Sequence, residues 1–385
     1  MSLASIVIPV IAAGLLFYLL VHAGLILGLS RLAYPINQIR PFVSIVVAAR
    51  NEEANIGTLL DQLVRQDYPA YEIIIVDDRS TDGTAAIVEL YQRAHANLHR
   101  VSVKENSGDL PPKKNALTQG IRASKGDILC FTDADCIPPL SWILELVRAF
   151  DDSVGFVAGY SPYDKQLLRE QQRSGIWRTI FYSFISYEEF RGATWSAGAI
   201  GMKLAWLCTG RSLAYRKKVF DDVRGFEQIK MSISGDDDLF IQLVRRQTSW
   251  KIRYICEPGS FVRTAPPESF SKFIEQRKRH FSAGKYFSLP MKGFFFLYHS
   301  INLLLLFALC SSLFSEVLFP IGLGAFAVKM LIDGILALVA GTRLKQRKLA
   351  LHFPLMEILY ILYNTCIGPL GFLKSFEWKQ GKTTA

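Results

Sequence analysis

The sequence has few cysteines, and none of them are paired in a binding motif. Its six cysteines are scattered along 385 residues and form no Cys-x-x-Cys. This spacing predicts neither a structural zinc site nor a disulfide framework, so we expect reduced thiols facing a cytosolic compartment.

The sequence also lacks a single basic stripe, although its net charge is +10. Lysine and arginine fall in separate clusters without interleaved stacking aromatics, which argues against nucleic acid as a partner. Such clusters are typical of the cytoplasmic face of a membrane, or of sites for phosphates and lipid head groups. They lie at residues 216–218, 277–279 and 343–348.

No charged residue precedes the first long apolar run, at residues 5–29, whereas Arg31 and Arg40 follow it. A cleaved signal peptide would have a basic start and a shorter apolar run of about 7–15 residues. About 20 apolar residues span a bilayer. Residues 1–30 are therefore predicted to be a transmembrane anchor, with the chain that follows in the cytosol.

The C-terminal third is apolar again and is predicted to form a transmembrane region at residues 293–373. Two spans are expected at 294–313 and 317–340, and Lys329 and Asp333 in the second should pair. A third segment, 349–373, is interrupted by Pro354, Glu357, Asn364 and Pro369, so it either crosses or is re-entrant. A basic tail, 374–385, follows. These features predict an integral protein of the inner or cell membrane.

Between these ends, residues 42–290 read as a cytosolic α/β domain. Apolar strand segments alternate with amphipathic helices of 10–15 residues, a pattern that predicts right-handed βαβ units and a parallel sheet. Two later segments, 175–189 and 197–208, are rich in aromatic residues and fit either core helices or helices at the membrane surface. The predicted strands are 43–49, 71–76, 99–104 and 128–131, and the helices are 56–66, 83–95 and 113–123.

The last of these strands ends in Asp133-Ala134-Asp135. On an extended segment, side chains two residues apart point to the same side. Paired carboxylates are suitable ligands for Mg²⁺ or Mn²⁺, and ligands of open α/β sheets bind beyond the carboxyl ends of the strands. The pattern alone fits a metal site or a solvated turn.

Four motifs in this order resemble those of the family 2 glycosyltransferases of the GT-A fold. The resemblance covers about residues 43–288, and it departs at Ala48, where the family often has proline, and at Arg79, where glycine is usual. We expected neither departure to remove essential side-chain chemistry. The motifs are Ala-Ala-Arg-Asn-Glu-Glu at 48–53, Val-Asp-Asp-Arg-Ser-Thr-Asp-Gly-Thr at 76–84, Lys-Lys-Asn-Ala-Leu at 113–117 and Asp-Ala-Asp at 133–135.

The resemblance implies a site for a nucleotide sugar. It places Asp77 and Asp78 near the uracil and ribose, with Glu52 nearby. It places Lys113 beside the phosphates, although the adjacent Lys114 competes for that role. A helix cap or a solvated helix start would explain the same residues without a ligand.

The resemblance also implies the reactive groups. Asp135 would ligate the metal directly, and Asp133 would bind ribose or a metal-bound water. Residues 208–215 and 225–226 resemble the acceptor-side segment of the family. In the Gly-Asp-Asp-Asp that follows, Asp237 would be the general base, or Asp238 if the alignment slips by one residue.

Residues 276–280, Gln-Arg-Lys-Arg-His, resemble the Gln-x-x-Arg-Trp signature of processive and lipid-directed members. Gln276 and Arg279 are retained beside the expected diphosphate, but His280 replaces the tryptophan. The resemblance gives that tryptophan the role of stacking on the acceptor sugar in polymerising relatives. Its loss therefore weakens the expectation of a long-chain polymerase. A basic helix on the membrane surface is compatible with either role.

Together these features predict an inverting, metal-dependent hexosyltransferase that uses a nucleotide sugar, expected to be UDP-linked. The expected acceptor is a hydroxyl of a membrane lipid such as a carotenoid, sterol, glycerolipid or sphingolipid. The alternatives are a processive polysaccharide synthase and a sugar nucleotidyltransferase, which would release pyrophosphate. A transporter component with a regulatory nucleotide-binding domain is disfavoured by the small number of spans.

Overall fold

A computed structural model of the chain describes residues 3–33, 36–104, 109–172, 175–312, 319–370, 376–378 and 381–383. The strands are β1 Val43–Ala49, β2 Tyr71–Asp77, β3 Leu98–Ser102, β4 Ile128–Phe131, β5 Cys136–Ile137, β6 Val154–Ala158, β7 Leu213–Arg216, β8 Lys251–Tyr254, β9 Arg263–Thr264, β10 Phe376–Trp378 and β11 Gly381–Thr383. The helices are α1 Leu3–Ser30, α2 Ile56–Leu63, α3 Thr84–Ala94, α4 Pro112–Ala123, α5 Trp142–Arg148, α6 Lys165–Gln172, α7 Ile176–Gly201, α8 Lys217–Asp222, α9 Asp238–Gln247, α10 Phe270–Ser282, α11 Leu289–Ser312, α12 Phe319–Arg343, α13 Arg347–Ala350 and α14 Phe353–Ile367.

A seven-stranded sheet forms the centre of the domain, in the order β3-β2-β1-β4-β7-β6-β8. The first four of these strands are parallel, as the sequence predicts, and most of the apolar residues of β1, β2 and β4 are buried. Strand β7 was not predicted, and it runs antiparallel to both β4 and β6. The α/β prediction is confirmed, and the carboxyl ends of β1, β2 and β4 share one edge.

Helix α7 has 26 residues and contains nearly all of the first aromatic-rich segment and the first five residues of the second, 197–201, whereas 202–208 follow the helix. Its beginning is open to solvent, with Trp177 exposed over 80% of its surface, whereas most of its second half is buried. That half packs closely on α1: a Cβ added to Gly28 would lie 1.9 Å from the carbonyl oxygen of Gly198. Glycine therefore permits the backbones of α1 and α7 to touch.

Three described helices are long and apolar enough to cross a membrane: Ile8–Ser30, Leu289–Cys310 and Phe319–Arg343. Helix α14 has 15 residues, fewer than the roughly 20 that span a bilayer. The predicted third span therefore contains a shorter helix, and its last residues, 371–373, lie outside the described part. The junction of the first two predicted spans, within 313–318, and part of the basic tail (374–375, 379–380 and 384–385) also lie outside it.

A group of buried charged side chains lies where α1, α7, α12 and α14 meet. Lys329 Nζ lies 2.5 Å from Asp333 Oδ2, which confirms the predicted pair, and 3.4 Å from Glu357 Oε1. Arg191 of α7 and His22 of α1 complete the group, with 3.4 Å between Arg191 and Glu357 and 2.9 Å between His22 and Asp333. We call these five residues the buried charge cluster.

Candidate active site

Asp133 and Asp135 of the Asp-Ala-Asp segment line a cavity of about 900 Å³. The sequence pattern predicted that Asp133 and Asp135 point to the same side because they lie on an extended segment. The segment is not extended, so that premise was wrong. Strand β4 ends at Phe131, and Ala134 and Asp135 lie in a turn. Asp133 and Asp135 nevertheless both line the cavity, because the turn returns the second carboxylate to the same side as the first.

Lys113, in the first turn of α4, connects two acidic groups across this cavity. Its Nζ lies 3.0 Å from Asp133 Oδ1 and 3.0 Å from Asp236 Oδ2. Burial would lower the pKa of Lys113, but Asp133 and Asp236 raise it well above its usual range. Burial likewise opposes ionisation of Asp133, and Lys113 outweighs it and lowers the pKa of that carboxyl. Both groups are therefore charged at neutral pH.

The surroundings of Asp135 suit a cation. Burial raises the pKa of Asp135, and the negative charges of Asp133 and Glu52 raise it further. A divalent ion would relieve that repulsion. Among the described residues no three histidine, cysteine or acidic side chains form a complete metal site. Ions of the Mg²⁺ type are commonly held by one or two carboxylates with substrate phosphates completing the shell, so this donor set fits.

A tight turn presents three consecutive carboxylates to the opposite wall of the cavity. Gly235 has φ +84°, a conformation that favours glycine, and a side chain there would also meet Leu239. Asp237 then caps α9 by accepting the Asp238 N–H at 2.7 Å. Its other oxygen accepts the Gly210 N–H at 2.8 Å. The Asp237 carboxylate is thus held in one orientation between two loops.

Asp237 and Asp238 differ in their surroundings. Burial raises the pKa of Asp237, and the neighbouring Asp236 raises it further, while Lys113 and two backbone N–H groups oppose the rise. Burial and Asp237 hold the pKa of Asp238 well above its usual range, and Asp238 accepts the Cys208 N–H at 3.0 Å. Both line the cavity, but Asp237 is the carboxylate with a cation in its electrostatic environment, which keeps its ionised form accessible.

Helix α10 brings Gln276, Arg279 and His280 to the same cavity. The Oε1 atom of Gln276 is buried and has no hydrogen-bond partner in the described part of the chain. Desolvation inside the cavity, together with the nearby Arg277 and Arg279, lowers the pKa of His280, although its side chain keeps an exposed surface. The neutral ring of His280 lies with Nδ1 3.1 Å from Arg277 Nη1, so it accepts from that guanidinium.

A second group of ionic contacts lies beneath α10. Arg277 contacts Glu188 and lies 3.3 Å from Glu189, and Arg211 contacts Glu189. Tyr363 of α14 donates to Glu188 at 3.3 Å. Helix α7 thereby fixes α10 and the loop that carries Arg211 with respect to each other.

The predicted nucleotide-binding pair lies at the ends of the parallel strands and does not line the large cavity. Asp77, the last residue of β2, accepts from Arg100 at 2.7 Å. Asp78 is held by Arg79, with both nitrogen contacts at 2.9 Å. Arg79 has φ +57°, which explains why glycine is usual at this position. The arginine at this position makes a side-chain contact with Asp78.

Away from the acidic residues, the cavity continues between α11 and α14. This part is mostly aromatic, with a few hydroxyl and amide groups. Phe296 and Leu303 line it while remaining exposed over 77% and 39% of their surfaces, so the cavity is open at α11. Its walls here include Trp206, Phe287, Phe295, Phe296, His299, Ser300, Leu303, Tyr360, Asn364 and Thr365.

The family model for Glycosyl transferase family 2 matches residues 44–224. Residues 44–224 form a family 2 glycosyltransferase domain. The match contains the first parallel strands, Lys113 and the Asp-Ala-Asp, and it ends before the acidic turn and α10. The roles of those later residues therefore rest on their geometry and on the resemblance of their motifs.

Two curated relatives are similar to parts of the chain. A probable glycosyltransferase of Bacillus subtilis, YdaM, is 27% identical over 262 residues, which are 66% of this chain and 58% of that protein. A beta-monoglucosyldiacylglycerol synthase of Synechocystis is 38% identical over 112 residues, which are 29% of this chain and 23% of the relative. The chain thus spans between about a quarter and somewhat over half of the length of these proteins.

Among solved structures, the mannosyltransferase PcManGT of Pyrobaculum calidifontis, in complex with GDP-Man and Mn²⁺, has the same fold. The two are 20% identical with a TM-score of 0.50, and the match covers 92% of this chain and 99% of the mannosyltransferase chain. The predicted GT-A fold is confirmed over the domain and most of the flanking helices.

Sequence reasoning missed several residues of the cavity. Asp236 was treated only as the neighbour of the proposed base, although it shares Lys113 with Asp133. Glu188 and Glu189 were not singled out, and Arg211 was included only as part of the acceptor-side segment 208–215, yet all three line the cavity. A pair of adjacent glutamates inside an otherwise aromatic helix was the one local signal that could have indicated them.

Proposed function

We propose that the protein is a membrane-bound, inverting glycosyltransferase that transfers a hexosyl group from a nucleotide sugar to a hydroxyl of a membrane lipid. The expected donor is UDP-linked. The observation that carries this proposal is the continuous cavity, which begins at the Asp-Ala-Asp segment and ends between two apolar helices. An aromatic branch between apolar helices suits the hydrocarbon part of a lipid acceptor.

The donor half of the site is assigned to the ends of the parallel strands. Asp77 and Asp78 would contact the base and ribose, with Glu52 beside them. Lys113 and Arg279 supply positive charge for the diphosphate. Asp133 and Asp135 would hold Mg²⁺ or Mn²⁺, which when bound neutralises charge on the leaving nucleoside diphosphate.

The acceptor half is assigned to the acidic turn. Asp237 would take the proton of the acceptor hydroxyl. The hydroxyl oxygen would then attack the anomeric carbon as the bond from that carbon to the nucleoside diphosphate breaks. Both oxygens of Asp237 accept backbone N–H groups, so the carboxylate is oriented before the acceptor arrives. Gln276, whose buried Oε1 has no partner among the described residues, can accept from a sugar or acceptor hydroxyl. Direct displacement with one base inverts the anomeric configuration.

The relatives support this assignment without deciding it. The Synechocystis relative is a synthase of a glucosylated diacylglycerol, which is a membrane lipid. The mannosyltransferase of the same fold was solved with a nucleotide sugar and Mn²⁺. In addition, three helices of this chain have the length and composition of membrane spans.

The test is a transfer assay on membranes that contain the full chain. Radiolabelled UDP-glucose, UDP-galactose and GDP-mannose are supplied separately with Mn²⁺, and the products are divided into lipid extract, polymer and released phosphates. We expect label in the lipid extract, lost on removing Mn²⁺ with EDTA. The Asp237→Asn variant should transfer about 10²–10⁴-fold more slowly, the usual contribution of a general base.

The control is Asp152→Asn, which changes an exposed carboxylate outside the cavity and should transfer at the wild-type rate. Label in long polymer would support a processive synthase instead, and release of pyrophosphate would support a nucleotidyltransferase. An Asp237→Asn variant as active as wild type would refute the base assignment while leaving the lipid product intact.

A further inference from the structure

Lys114 is a fully buried lysine whose ammonium group donates to three backbone carbonyls. It follows Lys113 in α4 and has 0% of its surface exposed. Its Nζ lies 2.8 Å from the carbonyl oxygen of Ile229, 2.5 Å from that of Ser232 and 3.0 Å from that of Ser234. An ammonium group has three donors, so these contacts use all of them.

The three carbonyls belong to one loop, residues 229–234, which leads directly into Gly235 and the three carboxylates. The opposite side of the loop is attached to the α10 region. Ser234 Oγ donates to the Arg279 carbonyl at 3.1 Å, and Tyr286 donates to the Met231 carbonyl at 2.7 Å. Lys114 thus attaches the backbone of the segment that presents Asp237 to helix α4, which packs on the parallel strands.

If this position served only to pack the core, an apolar side chain would be expected there. Burial is costly for an ammonium group and lowers the pKa of Lys114 to about 8, against the opposing charges of Asp236 and Asp237. The carbonyl contacts offset this cost only where the loop has its present path. A lysine therefore specifies that path, whereas an apolar side chain of similar size would tolerate several.

We propose that Lys114 is a positioning residue that fixes the distance between the donor half and the acceptor half of the site. The inference rests on the proposed function. Consecutive residues of one helix contact both halves: Lys113 contacts Asp133 and Asp236, and Lys114 contacts the backbone ahead of Asp237. The two side chains start from one rigid turn of α4. A shift of loop 229–234 would therefore change the distance between the Asp237 carboxylate and the donor half of the site.

The experiment compares the full-length protein with Lys114→Met, which keeps the length of the side chain and removes its donors. The matched control is Lys217→Met. Lys217 Nζ also donates to a backbone carbonyl, that of Ser124 at 2.6 Å, but Lys217 does not line the cavity. Three quantities are measured in detergent: hydrogen exchange of segment 229–238, affinity for UDP with Mn²⁺, and the steady-state constants of transfer to lipid.

In Lys114→Met we expect faster exchange confined to segment 229–238, with UDP affinity and donor KM within about threefold of wild type. We expect kcat to fall by about 10²-fold, the usual effect of misplacing a reacting group by about an ångström. Lys217→Met should leave all three quantities unchanged. Unchanged exchange in Lys114→Met, or an unchanged kcat, would overturn the proposal, as would equal losses in UDP affinity and kcat.

If Lys114→Met does not fold, Lys114→Gln retains two donors and takes its place. It should fold and show an intermediate kcat, and a stable Lys114→Gln variant with wild-type kcat and exchange would contradict the positioning role. A wild-type protein that labels no lipid would refute the proposed function. Hydrogen exchange would still show whether Lys114 orders the loop, so the two failures are distinguishable.

Discussion

At the scale of single residues, the charge of Asp236 controls the proposed base next to it. Burial and Asp236 together raise the pKa of Asp237, so its ionised, proton-accepting form predominates only above that raised pKa. Rising pH should therefore increase the transfer rate through an acid limb that lies above the ordinary range of aspartate. The acid limb of the pH profile of kcat/KM reports this pKa in the free enzyme.

Asp236→Asn removes the negative neighbour and should lower the pKa of Asp237. The acid limb of the pH profile of kcat/KM should therefore move to lower pH. Lys113 would lose one of its two carboxylates and keep Asp133, so the donor site should stay formed. The profile of Asp152→Asn serves as the reference, and an acid limb that stays in place or moves upward in Asp236→Asn would contradict this electrostatic account.

At the scale of elements, the contact between α1 and α7 depends on glycine. A side chain at Gly28 would meet the backbone of Gly198, and one at Gly201 would lie 2.0 Å from the carbonyl oxygen of Gly28. Backbone atoms cannot move aside as a flexible side chain can. The two helices would have to separate, and the packing along α7 would be lost with them.

Gly28→Ala should therefore destabilise the protein by about 1–3 kcal/mol or more, the range for overpacking a tight contact. Gly24, one turn earlier on α1, has open space around its Cα. Gly24→Ala should be neutral or stabilising by up to about 1 kcal/mol, because alanine favours helix. Thermal unfolding of the purified protein in detergent measures both, and equal melting temperatures for the two variants would show that the helices do not touch at Gly28.

The same scale shows what could be predicted from the sequence. The strands and helices from Val43 to Phe131 follow local rules of periodicity and capping, and their order was predicted with small errors at their ends. The antiparallel β7 was not predictable in this way, because its direction depends on how the chain returns after α7. The bridging of Asp133 and Asp236 by Lys113 joins residues more than a hundred positions apart, and no local pattern encodes such a contact.

At the scale of the whole molecule, α7 is the element that joins the apolar helices to the cavity. One part of it presents Glu188 and Glu189 to the cavity, and one turn later Arg191 enters the buried charge cluster. Tyr187 of the same helix donates to Glu357 of α14 at 2.9 Å. A change in the cluster should therefore reach the cavity through a single rigid helix.

Lys329 tests this arrangement, because its removal leaves the buried carboxylates of Asp333 and Glu357 with only Arg191 and His22 of the cluster beside them. Lys329→Met should destabilise the protein by about 3–5 kcal/mol, as expected when one partner of a buried ion pair is lost. Lys329→Met with Asp333→Asn removes a cation and an anion together and leaves Arg191 paired with Glu357. This double variant should recover most of the stability, since replacing both partners of a buried pair is far less costly than breaking it.

Unfolding temperatures in lipid nanodiscs measure this recovery of stability. Transfer rates on the same samples show whether activity at the cavity depends on the buried charge cluster. We expect activity to be lost in Lys329→Met and regained in the double variant. The double variant removes one positive and one negative charge, so α7 should regain its wild-type position. A double variant as unstable as the single one would mean that Lys329 acts through contacts other than its charge. Recovered stability without recovered activity would mean that α7 does not transmit the state of the cluster to Glu188 and Glu189.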